Sequence, residues 1–304
     1  MVTIPGYVNG VSDKTPIPRQ RSDRAEPLSS VAALVRRHDR DRYQTALFAP
    51  VAHREALFAL YAFNYEIARV RESVTQPTLG RIRLEWWREN VAGAYGPDPV
   101  RRHFVVEALT RVIRERRLTR CHLDRLIDAR ETDLDDDPPA DLAALEAYAD
   151  DTSSRLIYLA LEILSTRDAA ALVAARHVGI AFALSGLVRA LPLRIATGRP
   201  LVPADVARRN GLDVDDPGQM RNSASLRAAV AEIAAAAENH LRAARGSRDA
   251  VPPAALAALL PAVIAGRSLR RLRRFAHDPF NPSLQRGDPL QSWRLAAAMI
   301  RRHF

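Results

Sequence analysis

The residues of this chain best suited to chemistry are four arginines, Arg69, Arg189, Arg194 and Arg199, with Glu72 and Tyr61 in the same stretch as the first of them. The chemistry they suit is recognition of an anion. A planar guanidinium meets a phosphate or carboxylate through two parallel hydrogen bonds and needs no metal to do so. Arg69 and Glu72 close the run A-L-Y-A-F-N-Y-E-I-A-R-V-R-E from Ala59 to Glu72, and the other three arginines punctuate L-V-R-A-L-P-L-R-I-A-T-G-R-P-L-V-P from Leu187 to Pro203. The competing account is structural: the arginines pair with Glu66, Glu72 or Asp133 and fill space, because buried charge has to be compensated in either case. Both accounts stay open on sequence alone. Glu72 reads first as the i, i+3 partner of Arg69, and Tyr61 and Phe63 read as core side chains.

The remaining reactive types carry less. His38, His53 and His177 have no i+4 histidine or acidic partner in a metal-like pattern and read as structural. The acidic run from Asp133 to Asp137 runs into two prolines, which makes it a solvated turn. Of Trp86 and Trp87, one indole is expected in the core and one at the surface. Cys121 is the single cysteine, so an internal disulfide and a thiolate cluster are excluded, and a semi-buried thiol is expected. The arginines from Arg267 to Arg274, with Arg301 and Arg302, read as a solvated helix face, with acidic headgroups or an acidic partner as the alternative.

Helices must position these residues. Apolar residues recur at three- and four-residue steps almost throughout, and period-two alternation is nearly absent. In Arg54–Glu72, Leu57, Leu60, Tyr61, Asn64 and Ala68 fall on one face, opposite Glu55 and Glu66. Further helices are predicted near 30–48, 78–95, 100–117, 119–131, 141–165, 167–190, 223–245, 253–275 and 289–302. Gly/Pro-rich breaks separate them, and Pro192 is expected to kink or end the helix that holds it. Asp141 and Ser223 are placed to cap helix N-termini. The simplest architecture is all-α: a flexible leader over 1–29, then one helical domain over 30–304 with antiparallel helices around a central space.

Composition narrows the function classes. At 304 residues and 47% hydrophobic, the chain can bury a large core. The longest apolar runs, such as Ala254–Ala265, are taken as too short and proline-broken to span a bilayer, and the first thirty residues lack an apolar signal region. A cytoplasmic chain is expected, with a peripheral place on the inner membrane as the alternative. The net charge of +10 comes from arginines spread along the whole chain, with Lys14 the only lysine. Without basic segments interleaved with aromatics, nucleic acid is not an expected partner, whereas an anionic membrane surface fits the charge.

Five stretches, in order, resemble the squalene/phytoene synthase family over nearly everything after residue 30: Ala59–Glu72, I-D-A-R-E-T-D-L at 127–134, L-E-A-Y-A-D-D-T at 145–152, Leu187–Pro203, and L-R-R-L-R-R-F-A-H-D-P-F near the end. The resemblance implies an isoprenoid-synthase-like helical fold around a central cavity. It also implies two facing acidic helices whose carboxylates hold magnesium against a diphosphate. Here the family's paired aspartates fall on Ala68 and Arg69, and only Glu72 keeps a carboxylate. On the second helix the family's Gln, Asn and two Asp positions fall on Ala183, Gly186, Ala190 and Arg194, with the helix glycine kept as Gly179. A magnesium ion about 5 Å from Arg194 would meet roughly 6–7 kcal/mol of repulsion at an effective dielectric near 20. No metal or other cofactor is therefore expected.

The wording F-N-Y-E-I-A-R-V-R-E-S-V, I-R-L-E-W-W-R-E-N and L-V-R-A-L-P is similar to a branch of the family with degraded acidic motifs, whose members assist assembly of respiratory complex I. That resemblance implies a non-catalytic assembly or scaffolding factor, with a membrane-complex subunit, an isoprenoid or another lipid as partner. The alternatives are a prenyltransferase working through an arginine-based, metal-poor site on farnesyl- or geranylgeranyl-diphosphate-type substrates, and a module that only binds and presents isoprenoid.

Overall fold

The computed structural model describes residues 28–135, 137–221 and 223–304, so the leader expected over 1–29 lies, apart from Leu28 and Ser29, outside the described residues. The described chain is helical, with no strand. The first half carries α1 (Ser30–His38), α2 (Arg40–Ala46), α3 (Val51–Ala68), α4 (Pro77–Ala94), α5 (Phe104–Arg116), α6 (Arg120–Glu131), α7 (Leu142–Ala149) and α8 (Arg155–Ile163). The second half carries α9 (Ala169–Ala196), α10 (Ala204–Arg209), α11 (Ala224–Gly246), α12 (Leu256–Leu259), α13 (Pro261–Arg274), α14 (Pro282–Gln285) and α15 (Gln291–Arg301).

Helix starts follow local chemistry. The Asp141 carboxylate accepts from the Ala144 amide at 2.7 Å and the Ser223 hydroxyl from the Leu226 amide at 2.9 Å, as their positions predict. Asp168 caps α9 in the same way. Asp39 does so for α2, accepting from Arg42 at 3.0 Å. That cap is why the single helix expected over 30–48 is two: at Asp39 the backbone leaves helical geometry (φ −135°, ψ 70°) and restarts. The helix expected over 141–165 is likewise interrupted, by a π-helical turn at Asp150–Ser154 between α7 and α8. Into that turn α9 presses Gly179: a Cβ there would lie 2.5 Å from Ser154 Cα. No side chain fits, which is the reason for glycine.

Two central helices hold the core. From Leu57 to Asn64 every side chain of α3 is buried, so the one-sided face expected there is corrected. The helix is enclosed by α1, α2, α5, α6 and α8, with Phe63 completely buried against the Trp87 ring, 5.5 Å between centroids. The other is α9, packed on α11, α13, α8 and α7. It runs 28 residues and is apolar enough to cross a bilayer by length and composition, which the reading of the apolar runs overlooked. Its most apolar window is 56% buried inside the protein, so it serves as a core helix. Pro192 does not end it. The proline removes one backbone donor, and the ladder resumes beyond it, with Thr197 N donating to Leu193 O at 3.1 Å. Cys121 is exposed, not semi-buried, because α6 buries the stripe Leu123, Leu126 and Ile127.

Candidate functional site

The six residues singled out from sequence do not converge on one site. Tyr61 lies in the core, 4% exposed, and burial pushes its hydroxyl up to about 12. Glu72 is exposed on a 3-10 turn after α3. Arg69 follows the last residue of α3; its carboxylate partner is Glu66 at 3.7 Å, and its guanidinium lies 5.5 Å from the Tyr65 ring centroid. Glu72 acts on Arg69 only as a weaker electrostatic neighbour.

Arg69 borders a solvent-open depression of about 310 Å³ shared with Ser73, Arg83, Trp86, Trp87 and His103. Trp87 is buried while Trp86 is half-buried beneath the Arg101 guanidinium at 5.9 Å, the division of the indole pair expected from sequence.

Arg189 belongs to a different place. It donates to Asp41 at 3.2 Å, Asp41 accepts in turn from Gln291, and the backbone carbonyl of Arg189 accepts from Gln285. This joins α9, α2, α14 and α15 around a depression of about 320 Å³ whose lining includes Arg40, Arg189, Arg267, Arg271 and Arg286. The acids facing them are Asp39, Asp41 and Asp288, and Asp288 is held by Arg267 at 2.6 Å and Arg294 at 3.1 Å. Arg271 is held below the usual guanidinium range, by desolvation first and then by Arg267.

Arg194 and Arg199 serve a third cluster, built on Asp133, one of the partners expected for the arginines, together with Arg130 and Tyr148, which sequence reasoning missed. Arg130 donates to Asp133 at 3.2 Å and to the Tyr148 hydroxyl at 2.8 Å, and Tyr148 donates to Asp133 at 2.8 Å. Arg199 donates to the Asp133 carbonyl at 3.2 Å, and the charge of Arg194 acts on Tyr148. Burial raises the Tyr148 pKa more than any other influence, so the phenol stays neutral and can donate. The family-like stretches 127–134 and 145–152 were the available signal, since each supplies members of this cluster. A solvated turn was expected from Asp133 onward. Instead Asp133 is tied into the protein, its side chain 12% exposed.

The separation has a simple geometric cause. Arg189 and Arg194 are five residues apart, which on a helix places them about 140° apart around the axis. Ala183, Gly186 and Ala190, spaced by three and four, do share a stripe, and each is half-buried. A Cβ on Gly186 would meet nothing within 4 Å, so that stripe borders open space. On the first helix, Ala68 ends α3, half-buried. Among the described residues, no three His, Cys, Asp or Glu side chains form a group able to hold a metal.

His177 lacks an i+4 partner but meets a histidine distant in sequence. Its Nδ1 lies 2.8 Å from His240 Nδ1, and His240 Nε2 lies 3.4 Å from Glu146. Desolvation and then His240 hold the His177 pKa below its ordinary value.

The profile of the squalene/phytoene synthase family matches residues 35–299. The chain belongs to the squalene/phytoene synthase family. Within it, the chain is 34% identical over 268 residues to the NADH dehydrogenase (ubiquinone) complex I, assembly factor 6, of Homo sapiens, covering 86% of this chain and 80% of that one. It is 28% identical over 205 residues to the presqualene diphosphate synthase of Rhodopseudomonas palustris, covering 66% and 72%. Among solved structures, the squalene synthase HpnC of Alicyclobacillus acidocaldarius superposes with a TM-score of 0.73 at 21% identity, over 82% of this chain and 94% of that one. A ligand-bound dehydrosqualene synthase superposes with a TM-score of 0.76 at 17% identity, over 89% and 94%. These likenesses make the helical domain an isoprenoid-synthase fold.

Proposed function

We propose that this member of the squalene/phytoene synthase family is a non-catalytic assembly or scaffolding factor for a respiratory membrane complex of the complex I type. The observation that carries the reading is the state of the two helices on which the family's metal chemistry depends. Of the five positions Ala68, Arg69, Glu72, Ala190 and Arg194, only Glu72 has a carboxylate, and it is exposed on a turn. Alanine offers magnesium no oxygen, arginine repels it, and the nearby Asp133 is occupied by Arg130 and Tyr148. Magnesium needs carboxylate or phosphate oxygens in near-octahedral order, and the residues present do not fit it. The relatives named as complex I assembly factor 6 support the same role.

The test is genetic. Deletion of the gene should lower complex I activity of the membranes, and activity that stays intact would sink the proposal. A second reading is favoured by the arginine-lined depression at Arg189: a protein that binds a prenyl diphosphate or transfers its prenyl group without a metal cluster. Farnesyl or geranylgeranyl diphosphate incubated with pure protein, with and without magnesium, decides it. Absence of both binding and pyrophosphate release ends that reading.

A further inference from the structure

Helix α15 is apolar on two opposite sides. One side is docked: Leu295, with Ala298 and Met299, packs on Phe48, Leu260, Val263 and Ile264. The other side is bare. Trp293 is 76% exposed and Ile300 83%, and their seven-residue spacing stacks them in one ridge, about 140–160° around the axis from Leu295. A helix that only covers a core turns polar residues outward; this one turns outward an indole and a β-branched side chain.

The ridge is held firmly and carries one sign of charge. Arg302 adopts a left-handed conformation (φ 52°) that turns the chain back and buries Phe304, so the helix end is fixed. Arg301 flanks the ridge and Arg302 follows it, while the neighbouring Arg294 is paired with Asp288 at 3.1 Å, and residues 291–304 contain no acid. The chain beyond α15 meets Arg245, whose Nε donates to Phe304 O at 3.1 Å. Arg245 is held below its ordinary pKa by desolvation and by the charges of Arg270 and Arg248, which marks this end of the helix as a crowded positive region.

Two exposed apolar side chains offer far less area than the roughly 800 Å² per partner of a stable protein interface. They match an interfacial helix instead, in which Trp sits at headgroup level and arginines meet anionic lipid. We propose that α15 docks the protein on an anionic bilayer, with Trp293 and Ile300 inserted at the interface and Arg301 and Arg302 against the headgroups. This deepens the assembly reading, which sets the protein beside a membrane complex.

The experiment is sedimentation of the full chain with vesicles of phosphatidylcholine alone or mixed equally with phosphatidylglycerol. The wild type should bind the mixed vesicles preferentially, less so as salt rises. W293S/I300S should bind about tenfold or more weakly, and R301E/R302E about tenfold more weakly on mixed vesicles only. Lipids brominated near the headgroup should quench wild-type tryptophan fluorescence but not that of W293F, which keeps an apolar ridge and a native fold even if the double variant unfolds. Equal binding to both vesicle types, or wild-type sedimentation by folded W293S/I300S, overturns the proposal. So does a dimer or a protein complex that these substitutions dissolve while vesicles are ignored. Lost vesicle binding would leave the assembly role standing, and intact complex I in the deletion strain would remove that role while leaving vesicle binding untouched.

Discussion

Alanine at Gly179 and alanine at Gly186 should move stability in opposite directions, although both sites lie on α9 seven residues apart. In each case the new methyl lowers the entropy of the unfolded chain and raises helix propensity, a gain of up to about 1 kcal/mol. At Gly186 nothing lies within 4 Å of the added Cβ, so the gain stands alone. At Gly179 the methyl would sit 2.5 Å from Ser154 Cα and 2.6 Å from its nitrogen. Those are backbone atoms of the π-helical turn and cannot swing aside as a side-chain tip would. Overpacking costs about 1–3 kcal/mol in ordinary cores, and rigid backbone puts this site at the upper end or beyond. G179A should therefore lose about 1–2 kcal/mol net, and the two variants should differ by about 2–3 kcal/mol. Urea denaturation followed by circular dichroism reads both. A G179A protein as stable as the wild type would refute the close approach of α9 to the turn, and a destabilised G186A would refute the open space beside the Ala183–Gly186–Ala190 stripe.

Arg130→Met should cost about 3 kcal/mol or more by leaving Asp133 buried without its cation, and R130M/D133L should recover much of that loss; denaturation midpoints that order the two variants otherwise would contradict the network. His122, His177 and His277 all have pKa values lowered, with desolvation the leading cause. The unfolded chain therefore takes up protons first as pH falls below the ordinary 6.5, and stability present at neutral pH should be lost toward pH 5. Melting temperatures across that range should fall less steeply in H177N than in the wild type. Chelation should leave the wild-type melting temperature unchanged, whereas A68D/A190D/R194D with magnesium and inorganic pyrophosphate should gain stability, by ligand linkage; a wild-type shift with magnesium alone would overturn the account of the site.

What the sequence made legible was local. The helical period, the Asp141 and Ser223 caps and the order of the family-like stretches each depend on residues within a few positions of one another, and each found its place. Asp39 was legible in principle, since a cap residue before Arg40 is the same signal, but the apolar periodicity on both sides of it suggested continuity. The site was less legible because its partners are distant in sequence. Arg199 reaches the Asp133 carbonyl, Arg189 reaches Asp41, and His177 meets His240, none of which any spacing announces. Arg69, Arg189 and Arg194 were grouped by type; the turn of α9 separates Arg189 from Arg194, and Arg69 lies at the end of α3. The four arginines thus divide among three places, an Arg–Asp–Tyr network, an arginine-lined depression and an aromatic one, while Tyr61 lies in the core and Glu72 on an exposed turn.

The most direct test of the central claim is complex I activity in membranes of a deletion strain complemented with E72Q, which removes the last carboxylate at the two acidic-motif positions. The account predicts that deletion lowers NADH–quinone activity and that E72Q restores it as fully as the wild-type gene. Restoration by the wild type alone, accompanied by magnesium-dependent pyrophosphate release from a prenyl diphosphate that E72Q lacks, would contradict it and make the protein an enzyme.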